Sequence, residues 1–247
     1  MKSEIIFGRQ PVLEALKSGA PIEKILIMFG AKGGTIDRIY ALAKQRGIPV
    51  TQTAKQRFRE LGEETVTQGV AAMIAAVAYV EVEDLLEIAR RNNEPAFILV
   101  LDELEDPHNV GALIRTAECA GVHGVIVSKH HSATIGQTVA KTSAGASMHV
   151  PIARVSNIAQ ALDELKQHGV WILGTAMEGE RTYYEADYSG PIAIVVGNEG
   201  RGIRRLVKEK CDFLVRIPLY GKIESLNASV AGALVMFEVV KARHKQG

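Results

Sequence analysis

The chain has 247 residues, enough for one large or two modest domains at roughly 100–200 residues each. With 47% hydrophobic and 23% charged residues it has an ordinary globular balance, and no apolar run reaches the ~20 residues of a membrane-spanning helix. Lys and Arg number 29 against 28 Asp and Glu, so overall charge excludes a uniformly basic nucleic-acid binder and leaves only local clusters.

Those clusters are Lys44 and Arg46; Lys55, Arg57 and Arg59; Arg201, Arg204, Arg205, Lys208 and Lys210; and Lys241, Arg243 and Lys245. Each reads as a solvated helix face when taken alone. The opening residues, Met1 to Arg9, lack the apolar core of a signal peptide. Two cysteines, Cys119 and Cys211, are too few for a disulfide framework and are expected to be packed, inert thiols. The compartment expected from these features is the cytoplasm.

In chain order, residues 10–16 predict a short helix and 25–29 a buried strand. Ile36, Ile39, Tyr40, Leu42 and Ala43 recur at helical spacing and are stopped by Gly47 and Pro49. A strand at 50–53, a helix at 55–61 and an apolar strand at 70–80 complete a small α/β unit, residues 1–80. Val82, Leu85, Leu86 and Ile88 mark one side of a charged helix within 81–95, expected to link two domains. Residues 96–247 then alternate: strands at 96–101, 124–127, 170–175, 192–196 and 213–217, helices at 110–120, 137–144, 158–168, 203–208 and 226–242. The strands are near-continuous Val, Ile, Leu and Ala runs, so helices should cover both faces of a parallel sheet in a doubly wound α/β domain. In such sheets ligands bind beyond the carboxyl ends of the strands.

Three segments that follow predicted strands stand out. The first runs from Asp102 through Pro107, Asn109 and Gly111 to Arg115. Pro107 and Asn109 shape a helix start, Gly111 permits close backbone approach, and Arg115 lies one turn further along. Its bland reading is a well-made helix start with a surface arginine. The second, Gly197-Asn198-Glu199-Gly200-Arg201-Gly202, is a glycine-rich turn from strand to helix that brings backbone amides to a ligand. It is not the dinucleotide fingerprint, which needs G-x-G-x-x-G after an early strand. A tight turn alone explains the glycines and does not explain Glu199 between them. The third runs from Ile217-Pro218 to Ser225-Leu226-Asn227-Ala228-Ser229-Val230-Ala231. A small-residue helix is expected from about Ser225, which would cap it, and Asn227 in its first turn implies a side-chain task.

Together these segments resemble the three motifs of the SpoU/TrmH (SPOUT) family of RNA ribose 2'-O-methyltransferases. The matches are Asn109-x-Gly111-x-x-x-Arg115, Gly197-x-Glu199-Gly200-x-Gly202, and Ile217-Pro218 followed by Ser225 to Ala231, in the family's order. The stretch Phe7-Gly8-Arg9-Gln10-Pro11 resembles the start of a small RNA-binding domain of L30e-like fold carried by the ribosomal RNA members. The resemblance implies an α/β catalytic domain with a C-terminal trefoil knot, a homodimer, and S-adenosylmethionine as methyl donor. The implied substrate is a ribose 2'-hydroxyl of large-subunit ribosomal RNA, on a guanosine of the 23S molecule, with no metal and no membrane.

It also assigns site residues. Asn109, Arg115, Glu199, Ser225 and Asn227 form the catalytic set; Thr175, Gly197, Ile217 and Leu226 hold the cofactor, with Gly174 a further candidate. Family reasoning makes Arg115 the base, yet a guanidinium with a pKa above ~12 stays charged. The expectation is instead that Arg115 binds the target phosphate and stabilises the developing alkoxide. His130 and His131 have no partners at metal-ligand spacing and read as a surface pair. A transfer-RNA enzyme, an adenosine-specific ribosomal RNA enzyme and a non-catalytic RNA-binding module remain open. A nicotinamide-dependent oxidoreductase lacks its glycine fingerprint at residues 96–111.

Overall fold

A computed structural model describes every residue except 1–3, 18, 21, 62–66, 75–77 and 245–247, and omits the side chains of residues 4, 59, 61, 74 and 137. The chain divides into two compact units, Met1–Val77 and Ala78–Gly247.

In the first unit, β1 (Glu4–Phe7), β2 (Ile22–Met28), β3 (Val50–Thr53) and β4 (Val70–Ile74) form a mixed sheet in the order β1-β4-β2-β3. β4 runs antiparallel to β1 and β2, and β3 is parallel to β2. Strand alternation divides the apolar residues between two faces. Ile25, Ile27, Val70 and Ala72 pack with Val12, Leu13 and Leu16 of α1 (Arg9–Lys17) and with Ile36 and Ile39 of α2 (Gly34–Gln45). On the other face, Leu26 and Ala71 meet Phe58 of α3 (Lys55–Leu61). The Arg46 guanidinium donates to the carbonyls of Leu16 and Ala20 at 2.8 and 2.7 Å, so this exposed residue caps the end of α1.

The expected strand at 70–80 is two elements: β4 ends at Ile74, and β5 (Tyr79–Val80) joins the other unit's sheet. The expected linker is likewise part of the larger unit. Its helix, α4 (Val82–Asn92), buries Val82, Leu85, Leu86 and Ala89 in that unit's core. A reciprocal box between Glu81 and Asp84 starts α4, and Asn93 in the left-handed conformation ends it.

The larger unit is an eight-stranded sheet. After β5 come β6 (Phe97–Asp102), β7 (Gly124–Ser128), β8 (Ile152–Val155), β9 (Trp171–Thr175), β10 (Arg181–Thr182), β11 (Ile192–Gly197) and β12 (Phe213–Arg216). The order is β10-β12-β9-β11-β6-β7-β8-β5, and every pairing is parallel. β6, β7 and β11 are buried along their whole length, as continuous apolar runs require. Residues of α4, α7 (Ile158–Gln167) and α8 (Arg205–Lys208) pack into one core cluster with Ile98, Val100, Ile126 and Val195. α5 (Pro107–Cys119) packs against α6 (Gln137–Thr142) and α9 (Ala228–His244), and α9 also contacts β11. The parallel doubly wound architecture is therefore present. β8 and β10 escape the periodicity reading because both are short and β10 is polar.

Some polar groups work inside this framework. His123 is buried; its Nδ1 accepts from the Phe97 amide at 3.0 Å, and burial holds its pKa below the usual imidazole range. Arg243 donates to the carbonyls of Pro95, Ala96 and Gly190, so it joins the C-terminal helix to the sheet. Cys119 is exposed, contrary to expectation, because it falls on the solvent side of α5's last turn; Cys211 is the partly buried thiol. No described helix is long and apolar enough to cross a membrane.

Candidate active site

β6 and β11 are neighbours whose ends fall in register, with Asp102 opposite Gly197. From β6 the sheet extends through β7 and β8 to one side, and through β11, β9 and β12 to the other. Strand order reverses between them, which leaves a crevice beyond their carboxyl ends.

The loop after β11 is folded back on itself. Asn198 and Gly202 exchange backbone hydrogen bonds of 3.1 and 2.8 Å. The Asn198 side chain donates to the Glu103 carbonyl at 3.0 Å and accepts from the amides of Gly200 and Arg201. Gly202 has φ +67°, and a Cβ on Gly197 would lie 2.2 Å from the Gly202 carbonyl carbon. The close approach excludes a side chain at Gly197, and the left-handed φ favours glycine at Gly202.

Asp102 is fully buried at the end of β6 and accepts from the backbone of Arg204 at 2.9 Å and from its guanidinium at 2.8 and 2.6 Å. The Asp102 carboxylate beside it raises the Arg204 pKa above its already high value. This clamp ties the glycine loop to β6. Sequence reasoning missed it, although an acid ending an otherwise apolar strand was its visible signal.

α5 begins with Asp106 as cap, its carboxylate accepting from the His108 amide at 2.9 Å, and with Pro107 already fixed at a helical φ. That start places Asn109, 9% exposed, against the glycine loop. Its Nδ2 donates to Glu199 Oε1 at 2.5 Å, and its Oδ1 accepts from Asn227 Nδ2 at 2.9 Å. Asn227 Oδ1 in turn accepts from the Ser229 amide at 2.9 Å and from its hydroxyl. α9 thus begins at Ala228 with Asn227 as cap, two residues later than expected; Ser225 is exposed and does not cap it. Each amide group of Asn109 has one partner, and those partners come from the other two segments.

A cleft of about 370 Å³ opens beside this chain of side chains. Thr175, Gly197, Ile217 and Leu226 all line it, as do Glu199 and Ser225. Ala176, Ala228 and Ala231 keep its walls close to the backbone. Gly174 does not line it; that residue packs against Leu214 and Cys211. Met177 and the ion pair of Glu178 with Lys208 also line the cleft and carried no signal in the sequence. Arg115 is exposed on α5, and among the described residues none bonds its guanidinium, so the structure does not join it to Asn109. Among the described residues no group of three or more His, Cys, Asp or Glu is placed to hold a metal ion.

The sequence pattern of the SpoU rRNA Methylase family matches residues 96–237, and that of RNA 2'-O ribose methyltransferase substrate binding matches residues 5–80. YacO of Bacillus subtilis (strain 168), named for the TrmH family of tRNA/rRNA methyltransferases, is 41% identical over 246 residues, 99% of this chain and 98% of its own. A Staphylococcus aureus (strain MSSA476) protein of the same family name is 44% identical over 247 residues, 100% of this chain and 99% of its own. Among solved structures, the SpoU methyltransferase AviRb from Streptomyces viridochromogenes superposes with a TM-score of 0.69 at 24% identity, covering 99% of this chain and 91% of that one. An rRNA methyltransferase from Sinorhizobium meliloti gives 0.64 at 25% identity, over 97% of this chain and 87% of its own. A TrmH/SpoU tRNA modifying enzyme of A. aeolicus gives 0.54 at 29% identity, over 67% of this chain and 84% of its own.

Proposed function

This chain belongs to the SpoU rRNA methylase family, and on that premise we propose that it transfers a methyl group from S-adenosylmethionine to a ribose 2'-hydroxyl of ribosomal RNA. One observation carries the reading: Asn109 is hydrogen-bonded to both Glu199 and Asn227 beside a cleft lined by Thr175, Gly197, Ile217 and Leu226.

The cleft suits the donor. Its volume lies within the roughly 300–1,000 Å³ of small-molecule sites, and its small and aliphatic lining fits a nucleoside held mainly by backbone groups. S-adenosylmethionine bound there supplies an electrophilic methyl group on a sulfonium. The chain's own contribution is position and charge. Among the described residues Glu199 Oε2 has no partner, so it is the atom to accept a hydrogen bond from the ribose hydroxyl. Asn109 fixes the other oxygen of Glu199, and Asn227 fixes Asn109. Ser225 adds a hydroxyl to the cleft wall. The exposed Arg115 guanidinium binds an incoming phosphate and offsets negative charge growing on the attacking oxygen.

Ribosomal RNA is favoured over transfer RNA by the architecture. The ribosomal enzyme from Sinorhizobium covers both units, whereas the A. aeolicus transfer-RNA enzyme leaves a third of the chain without a counterpart. In this reading the N-terminal unit engages the RNA, a guanosine of 23S RNA is the target, and the enzyme acts in the cytoplasm. The C-terminal segment would be threaded in the family's trefoil knot. A homodimer is supported by α9, where Val230, Leu234 and Phe237 stay exposed beside Ala112 and Thr116. Phe237→Glu should shift a sedimenting dimer to monomer; a wild-type chain that sediments as monomer would remove that part of the proposal.

The deciding experiment supplies labelled S-adenosylmethionine and either unmodified ribosomal RNA or transfer RNA, and maps the product. A 2'-O-methylguanosine in the large-subunit RNA, lost with Arg115→Ala, is the expected result. Label in transfer RNA alone would reassign the substrate, and no cofactor binding would leave an RNA-binding module.

A further inference from the structure

The cations that follow β11 are not equivalent. Arg204 pairs with Asp102 and Glu103, Arg205 with Glu209, Lys208 with Glu178 and Lys210 with Asp163. Arg201 differs: among the described residues no side chain or carbonyl takes a hydrogen bond from its guanidinium. It nonetheless lines the cleft. Of the other charged groups there, Glu178 and Lys208 pair with each other, while Glu199 is held by the neutral Asn109 amide and keeps its negative charge. Among the described residues the Arg201 guanidinium therefore stands at the cleft with no ion-pair or hydrogen-bond partner of its own.

Its backbone is fixed. The Arg201 amide donates to Asn198 Oδ1 at 3.3 Å, and the backbone exchange between Asn198 and Gly202 closes the loop around it. A long cation on a pinned loop needs to order only its side chain to bind. Arg201 stands two residues from Glu199, a reach of at most about 7 Å along the chain. Its exposure suits a strand lying across the mouth better than a ligand enclosed within.

We propose that Arg201 binds a phosphodiester of the RNA strand next to the nucleotide whose ribose lies against Glu199, which rests on the methyl-transfer reading above. A guanidinium matches phosphate oxygens bidentately, and each phosphate neutralised releases counterions. Arg201 thereby sets where the strand lies, while Asn109, Glu199 and Asn227 act on the ribose.

The test measures Arg201→Ala and Arg201→Lys by fluorescence anisotropy on a labelled, unmodified ribosomal RNA fragment across a salt series, and by calorimetry with S-adenosylmethionine. Arg201→Ala should weaken RNA binding about tenfold and lower the salt slope by about 0.7, the increment for one phosphate on a single strand. Cofactor affinity should not change, and Arg201→Lys should recover part of the RNA affinity because the charge returns. RNA affinity equal to wild type would overturn the proposal. So would weaker cofactor binding with an unchanged salt slope, which would assign Arg201 to the donor's carboxylate. Because the anisotropy needs no turnover, failure of the Arg201 contact is distinguishable from failure of the methyl-transfer reading, which shows as absent transfer by the wild-type enzyme.

Discussion

Asn227 donates its side-chain amide to Asn109 at 2.9 Å across 118 residues of sequence. The same side chain caps α9 with its oxygen, so one residue serves the helix through one atom and the site through another. The two tasks are separable. Asn227→Asp keeps an acceptor for the Ser229 amide but loses the donor to Asn109. It should leave the melting temperature close to wild type and lower kcat for methyl transfer by about 10²–10³-fold, the range for losing one positioned donor. Asn227→Ala should in addition destabilise the protein by about 1 kcal/mol through the lost cap. Equal activity of Asn227→Asp and wild type would show that the contact has no catalytic consequence.

Gly111 is required by packing. A Cβ there would lie 1.8 Å from Thr142 Oγ1 and 3.0 Å from the Ser143 nitrogen, so α5 and α6 could not keep their approach. Gly111→Ala should destabilise the larger unit by about 1–3 kcal/mol, as overpacking does. The double variant with Thr142→Ser, which keeps the oxygen, should recover little, whereas Thr142→Gly should recover most. Chemical denaturation of the three variants checks the order.

The Asp102–Arg204 clamp holds the glycine loop against β6. Asp102→Ala leaves the exposed Arg204 guanidinium with Glu103 but strips the Arg204 amide of its acceptor, and should cost about 1–3 kcal/mol. Cofactor affinity should fall as well, because Gly197 and Asn198 lose their anchor. Calorimetric titration of S-adenosylmethionine at a temperature where the variant stays folded reads that second effect.

The cysteines should separate chemically. Iodoacetamide near neutral pH is expected to modify exposed Cys119 and spare Cys211, as peptide mass mapping would show. Burial pushes the Cys211 thiol up to about 12, from 9.0. The folded state thus favours the protonated thiol. Its contribution to stability is intact below pH 9 and falls as pH rises from 9.0 towards about 12, because the unfolded chain releases that proton first. The denaturation midpoint of wild type should therefore drop more steeply over that window than that of Cys211→Ala.

The long periodic elements and the order of the site segments were legible in the sequence, because they are local. Short apolar runs such as residues 97–101 and 192–196, rich in Val and Ile, read as central parallel strands, and Pro107 after Asp106 announces a helix start wherever the chain goes. Family motifs named Asn109, Glu199 and Asn227, and these meet. Other features depend on distance in space. Asp102 and Arg204, Glu178 and Lys208, and Arg46 at the end of α1 are partners through tertiary contact, and no spacing rule connects residues so far apart. In the basic cluster after β11, Arg204, Arg205, Lys208 and Lys210 enter ion pairs and Arg201 does not. Composition and periodicity determined a doubly wound α/β protein with a site beyond its strand ends. Which polar groups meet there, which charges cancel and which stay unpaired was decided by tertiary structure alone, since burial and pairing are properties of neighbours in space and periodicity reports only neighbours along the chain.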